Sequence, residues 1–135
     1  MIVKTEPTFA HSKAFIFVMD HFVKLLKAGM AEQELCFHNA VQVAYVEDED
    51  GDVIGAAIFD LDKTKRQAWI YLAAVAADHR SQGIYSAIYR KIEDIARNEG
   101  MKGLGSNVNV RNAPMLATAE KNGRQLIAYR VKKAL

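Results

Sequence analysis

The alternation of apolar and polar residues changes period several times along this chain, and each change marks an element. Over residues 8 or 12 to 28, Phe15, Val18, Met19, Phe22, Leu25 and Leu26 recur every three or four positions, the spacing of a helix with one buried face. Gly29 is its natural stop. Ahead of it, "MIVKT" reads as a short first strand ended by Glu6-Pro7, and after it residues 31–39, "AEQELCFHN", read as a second short helix or a structured loop. "VQVAYVEDEDGDVIGAAIFDLD" then reads as two strands joined by a tight turn at Asp50-Gly51. The acidic run from 47 to 52 has a glycine, as a calcium loop does, but its spacing would put Val46 at the first ligand position. It therefore reads as a solvated hairpin turn.

"KTKR" makes another polar turn. The nearly uncharged "QAWIYLAAV", Gln67–Val75, follows as a strand covered on both faces. The helical period returns after Gly83, with Ile84, Ile88, Ile92 and Ile95 as the buried stripe and Arg90, Lys91, Glu93, Asp94 and Arg97 facing water, and it stops at Gly100. "LGSNVNV" reads as a fifth strand, residues 112–122 as a helix and "RQLIAYRV" as a last strand. This order predicts an α/β (α+β) fold, a mixed central β-sheet flanked by helices. The length, 135 residues, fits a single domain over 1–135 without repeats or linkers.

Composition narrows the function classes. Half the residues are hydrophobic and a quarter are charged, as in ordinary soluble proteins, and the net charge is only +2. No basic face with interleaved aromatics is visible, so nucleic acid is not the expected partner. Cys36 is the single cysteine, which excludes an intramolecular disulfide or a cysteine-based zinc cluster and suits a small buried residue in a reducing compartment. No histidine pair has metal-binding spacing, so no metal is expected. The apolar runs are too short for a membrane span and the N-terminus lacks a signal-peptide pattern, which makes a cytoplasmic protein the expectation.

The candidate chemistry lies in "HRSQGIYS", residues 79–86. A helix start leaves backbone N–H groups unpaired at the positive end of the helix dipole, which makes an anion site where the backbone can be approached closely. Gly83 removes a side chain there, Arg80 adds a permanent positive charge, and Ser81 and Ser86 add hydroxyl donors. An ordinary helix start is the other reading. A nucleotide P-loop is excluded because no Gly-Lys-Ser/Thr follows, and a dinucleotide fingerprint because two of its three glycines are missing.

At these residues the chain resembles the GNAT family of N-acetyltransferases, over most of its length from about Val41. The family's Arg/Gln-x-x-Gly-x-Gly/Ala turn, with a valine five residues before its arginine, corresponds to Val75, Arg80 and Gly83. The following helix, the strand "LGSNVNV", Asn112 at the next helix start and Glu120-Lys121-Asn122-Gly123 at its end continue the match. The resemblance implies two parallel strands that splay apart around acetyl-CoA as co-substrate. Val75 and Ala77 would offer backbone groups to the pantetheine arm. Arg80, Ser81, Gln82, Gly83, Ile84, Tyr85 and Ser86 would hold the pyrophosphate, and Asn112 would lie near the pantetheine end. The implied activity is transfer of an acetyl (acyl) group to a primary amine of a small molecule or protein.

Three positions depart from the family pattern. Tyr85 stands where the turn usually ends in Gly/Ala, Ala119 where many members carry a tyrosine acid, and Gln67–Val75 holds no carboxylate base. An amine with an ordinary pKa near ~10.4 is mostly protonated at neutral pH, so a base, a water chain or an apolar site must free it. Tyr71 and His79 are the candidate proton carriers, and Glu32, Glu34 and His38 the candidate substrate-facing residues. Two alternatives remain: a non-catalytic acyl-CoA-binding or sensing domain, and a fold used for protein interaction with Tyr85 closing the groove. Because the twelve residues after Gly123 leave room for one good strand, a homodimer formed through that C-terminal edge strand is a further expectation.

Overall fold

The computed structural model describes residues 1–8, 12–29, 37, 40–108, 112–127 and 133. Its elements follow in the order β1 (Lys4–Pro7), α1 (Lys13–Lys27), β2 (Val41–Glu47), β3 (Val53–Asp62), β4 (Gln67–Val75), α2 (Ile84–Asn98), β5 (Gly103–Ser106) and α3 (Ala113–Lys121), with a single 3-10 turn, Ala77–His79, between β4 and α2. The sheet order is β1-β2-β3-β4-β5; the first four strands are antiparallel and β5 runs parallel to β4. The expected mixed sheet flanked by helices is what forms.

Local chemistry explains most boundaries. Ser12 caps α1, its hydroxyl accepting the Phe15 N–H at 3.3 Å. At the β2–β3 hairpin the Asp48 carboxylate accepts the N–H groups of both Asp50 and Asp52 at 2.9 Å, so the acidic run works as a turn. Asn112 caps α3 by accepting the Met115 N–H.

Three expected boundaries are corrected. The first strand runs from Lys4 through Pro7 instead of over residues 1–5; Pro7 pairs with Gln42 at the last rung of an edge strand, where the missing N–H is tolerated. The fifth strand covers only Gly103–Ser106, leaving Asn107 and Val108 outside it. Residues 124–127 form no strand, because Arg124 is tied back to α3 through its N–H to the Ala119 carbonyl. Most of the expected short element at 31–39, and the remainder of the expected last strand with its dimer edge, lie outside the described residues.

The sheet has a packed layer on each side. Ala14 and Val18 of α1 cover Val43, Ala56 and Ile58 on one face. Ile84, Ile88, Tyr89 and Ile92 of α2 cover Ala44, Val46, Ala57, Phe59 and Ile70 on the other. Side chains alternate between these faces along β3, so Phe59 lies under α2 while Ile58 points to α1. A Cβ at Gly55 would come within 2.5 Å of Ile84 Cγ2, which shows how closely the first turn of α2 rests on β3. That seat fixes where the helix starts.

Candidate active site

The parallel strands β4 and β5 pair only from Gln67↔Gly103 to Ile70↔Ser106. Beyond that rung β4 continues to Val75, paired to β3 on one edge and to no described strand on the other. The two strands therefore part at Ile70.

A β-bulge falls at the same place. Ile58 pairs with Leu72 and Phe59 with Ile70, so Tyr71 is the extra residue of β4. The bulge breaks the alternation of faces: Ile70 and Ala73 pack with the α2 layer, whereas Tyr71 and Leu72 both join the α1 layer. Bulges leave ladder groups unpaired and re-aim side chains. Counted from Ile70, the residue that departs from alternation is Leu72; Tyr71 keeps the α1 face, and its hydroxyl donates to Asp60 Oδ2 at 2.6 Å. Asp60 is 1% exposed, and Phe37 packs edge-on against the Tyr71 ring at 5.0 Å between centroids.

At the far end of β4 the chain turns through Ala77–His79 into α2. Ser81 and Gly83 both adopt positive φ, 64° and 78°. Gly83 is the N-cap of α2 without a side-chain capping bond; its carbonyl accepts the Ala87 N–H, the first bond of the helix. The N–H groups of Gly83, Ile84, Tyr85 and Ser86 have no acceptor among the described residues. A Cβ at Gly83 would meet nothing within 4 Å, so the space before these donors is open. Behind these N–H groups runs a fifteen-residue helix, whose dipole places its positive end at the turn.

The other expected site residues take varied places. Arg80, Ser81 and Gln82 are exposed at the turn, and Arg80 Nε donates to the Val75 carbonyl at 3.4 Å, bracing strand end and turn. Ala77 is exposed at the start of the 3-10 turn and Asn112 serves as the α3 cap. His79 Nδ1 is buried without a partner among the described residues. Tyr71 and His79 are not brought together: the four steps of β4 from Tyr71 to Val75 alone span about 13 Å. Glu32, Glu34 and His38 lie outside the described residues.

Tyr85 does not stand over the turn. Its ring packs on the α2 core layer and against Tyr89, and its hydroxyl accepts from Arg124 Nη1 at 3.3 Å. Burial pushes the Tyr85 hydroxyl above the usual tyrosine value, with Arg124 opposing the shift, so it stays neutral at physiological pH. Arg124 also donates to Ser106 Oγ and lies 5.2 Å from the centre of the Tyr89 ring. One guanidinium thus joins the end of β5, helix α2 and the segment after α3.

Sequence reasoning sought a carboxylate on β4 alone and missed Asp60. The available signal was an aspartate inside the apolar run "AAIFDL", in phase with the inward-facing Ile58. His21, read from the sequence as a surface or boundary residue of the first helix, is half-buried on α1. Burial lowers its pKa below the ordinary 6.5, and the nearby charges of Arg80 and Lys24 lower it further.

Parallel strands that part beside a bulge, followed by a glycine-opened helix with free N–H groups, define an acyl-CoA N-acyltransferase fold. The family model for the acetyltransferase (GNAT) family matches residues 13–123, and the chain belongs to that family. The match takes in α1, ahead of the point where the sequence resemblance began. No curated protein sequence matches significantly. Among solved structures, a tetramutant of the BH1408 protein from Bacillus halodurans is 13% identical with a TM-score of 0.74, covering 100% of both chains. The aminoglycoside N-acetyltransferase AAC(6')-Iy, in complex with CoA, is 12% identical with a TM-score of 0.67, covering 98% of this chain and 100% of its own. An aminoglycoside acetyltransferase from an uncultured soil metagenomic sample, in complex with sisomicin, is 15% identical with a TM-score of 0.70, covering 98% of this chain and 96% of its own. At these identities the likeness is one of fold.

Proposed function

We propose that the protein transfers an acetyl group from acetyl-coenzyme A to a primary amine. The observation that carries this reading is the turn at Gly83: open space before N–H groups that no described residue accepts. The pyrophosphate would accept from these groups, with Arg80 and the α2 dipole adding positive potential. The pantetheine arm would follow the unpaired edge of β4 toward the bulge, where ladder groups freed at 70–72 would polarise the thioester carbonyl. The amine would approach from the α1 side, the side to which Tyr71 is turned.

The test is thiol release from acetyl-coenzyme A with a panel of butylamine, spermidine, a lysine-containing peptide and sisomicin. Amine-dependent release supports transfer; saturable binding with no release from any member contradicts it and favours a binding domain.

His21 provides an independent probe. Its lowered pKa means that the folded protein resists a proton that the unfolded chain accepts, so this contribution to stability is lost as pH falls below about 6.5. A pyrophosphate beside Arg80 would offset the positive charge that depresses the ring. Saturating acetyl-coenzyme A is expected to move the His21 pKa upward, followed by proton NMR of the imidazole. An unchanged titration would place the anion elsewhere.

A further inference from the structure

We propose that Asp60, acting through the Tyr71 hydroxyl, takes the proton that the acceptor amine must lose before it attacks. This inference rests on the acetyl-transfer reading above and assigns its base to β3, the strand next to the one on which the sequence pattern was searched.

Three observations converge. Tyr71 is the bulged residue of β4 and lies one position beyond the last rung shared with β5, where the strands part. Its hydroxyl is bonded to the Asp60 carboxylate at 2.6 Å, a length typical of a hydrogen bond to a charged oxygen. Asp60 is buried while Tyr71 is partly exposed, so the tyrosine hydroxyl links the carboxylate toward the more accessible side of the pair. A fully buried carboxylate is costly in a core, and the Tyr71 hydroxyl, on the same face of the sheet, supplies it with a hydrogen bond.

The step balances as follows. The ammonium donates to the Tyr71 oxygen; its proton moves there as the tyrosine's own proton moves to Asp60. The freed lone pair attacks the thioester carbonyl carbon, the N–C bond forms and the C–S bond breaks. Sulfur leaves with the electron pair and takes the second proton lost by nitrogen. Asp60 then returns its proton to water through Tyr71.

Other groups around the pair are few among the described residues. Asp62 lies two residues further along β3, and β2 offers Val41 opposite Asp60. Tyr45 on β2 turns its hydroxyl to Glu6, four rungs away. On α1 only His21 is a half-buried titratable residue, while Lys13, Asp20, Lys24 and Lys27 are exposed.

The experiment measures kcat/KM for the fastest amine of the panel between pH 6 and 10, for wild type, Asp60→Asn and Tyr71→Phe. Each variant should lose about 100-fold or more at pH 7, the usual worth of a positioned base. The loss should shrink toward pH 10, where the amine is free without help, and acetyl-coenzyme A binding should stay unchanged. A loss equal at every pH, or no loss, overturns the inference and leaves the transfer reading intact. Should one single variant fail to bind acetyl-coenzyme A, the double variant, which removes both members, carries the same comparison. Absence of turnover by the wild type would overturn the transfer reading and this inference with it.

Discussion

Replacing Gly83 by valine is expected to weaken acetyl-coenzyme A binding by about 100-fold or more, since hydrogen bonds to charged groups are worth roughly 1.5–3 kcal/mol each and two or more would be blocked. The added side chain would occupy the open space before the free N–H groups of α2. It would also strain the backbone, because φ is 78° there. Left-handed geometry costs a side-chain-bearing residue about 1–2 kcal/mol. The control is Gly100→Val, at the other end of the same helix, where φ is 77° and a Cβ likewise meets nothing within 4 Å. Both variants should show similar losses of unfolding midpoint, and only Gly83→Val should lose affinity in calorimetric titration. Equal affinities in the two would mean that the turn does not hold the cofactor.

The second large effect concerns the layer that seats the turn. Phe59 is fully buried beneath α2 and pairs with Ile70, the last β4 residue joined to β5. Phe59→Ala is expected to cost about 3–5 kcal/mol by removing buried surface and leaving a cavity. That is a large share of the roughly 5–15 kcal/mol that domains possess. Urea unfolding should show a lower midpoint with the slope unchanged. Acetyl-coenzyme A at 100 times its dissociation constant should restore about 2.7 kcal/mol, because only the folded chain holds the turn. A midpoint near that of the wild type would contradict the packing described.

The contrast between Gly83 and Asp60 shows what sequence could and could not convey. The helix start at Gly83 was legible because it is local: a glycine, a nearby arginine and an amphipathic helix lie within one stretch. The helix limits and the Asp50-Gly51 hairpin were legible for the same reason, since caps and turns are set by neighbouring residues. Asp60 and Tyr71 meet through the pairing of β3 with β4, eleven positions apart, with Asp60 opposite Trp69 and Tyr71 two residues further along β4. Alternation along one strand gives no sign of the register that sets it against its neighbour. Arg124 is similar: its bonds to Tyr85 and Ser106 span 39 and 18 positions, and they accompany the end of the helix where a strand had been expected.

Tyr85 changes meaning with the structure. As a departure from the family turn it suggested a closed groove, but its hydroxyl is held by Arg124 and its ring by the α2 core. The space at Gly83 stays open beside it. The missing tyrosine at Ala119 and the missing carboxylate on β4 have a counterpart in a different pair, one strand over, at the point where β4 and β5 separate.

The most direct measurement is calorimetric titration of the wild-type protein with acetyl-coenzyme A, repeated with Gly83→Val. Saturable one-to-one binding by the wild type, lost in the variant, is the result predicted. No binding by a folded wild-type protein would contradict the account at its centre.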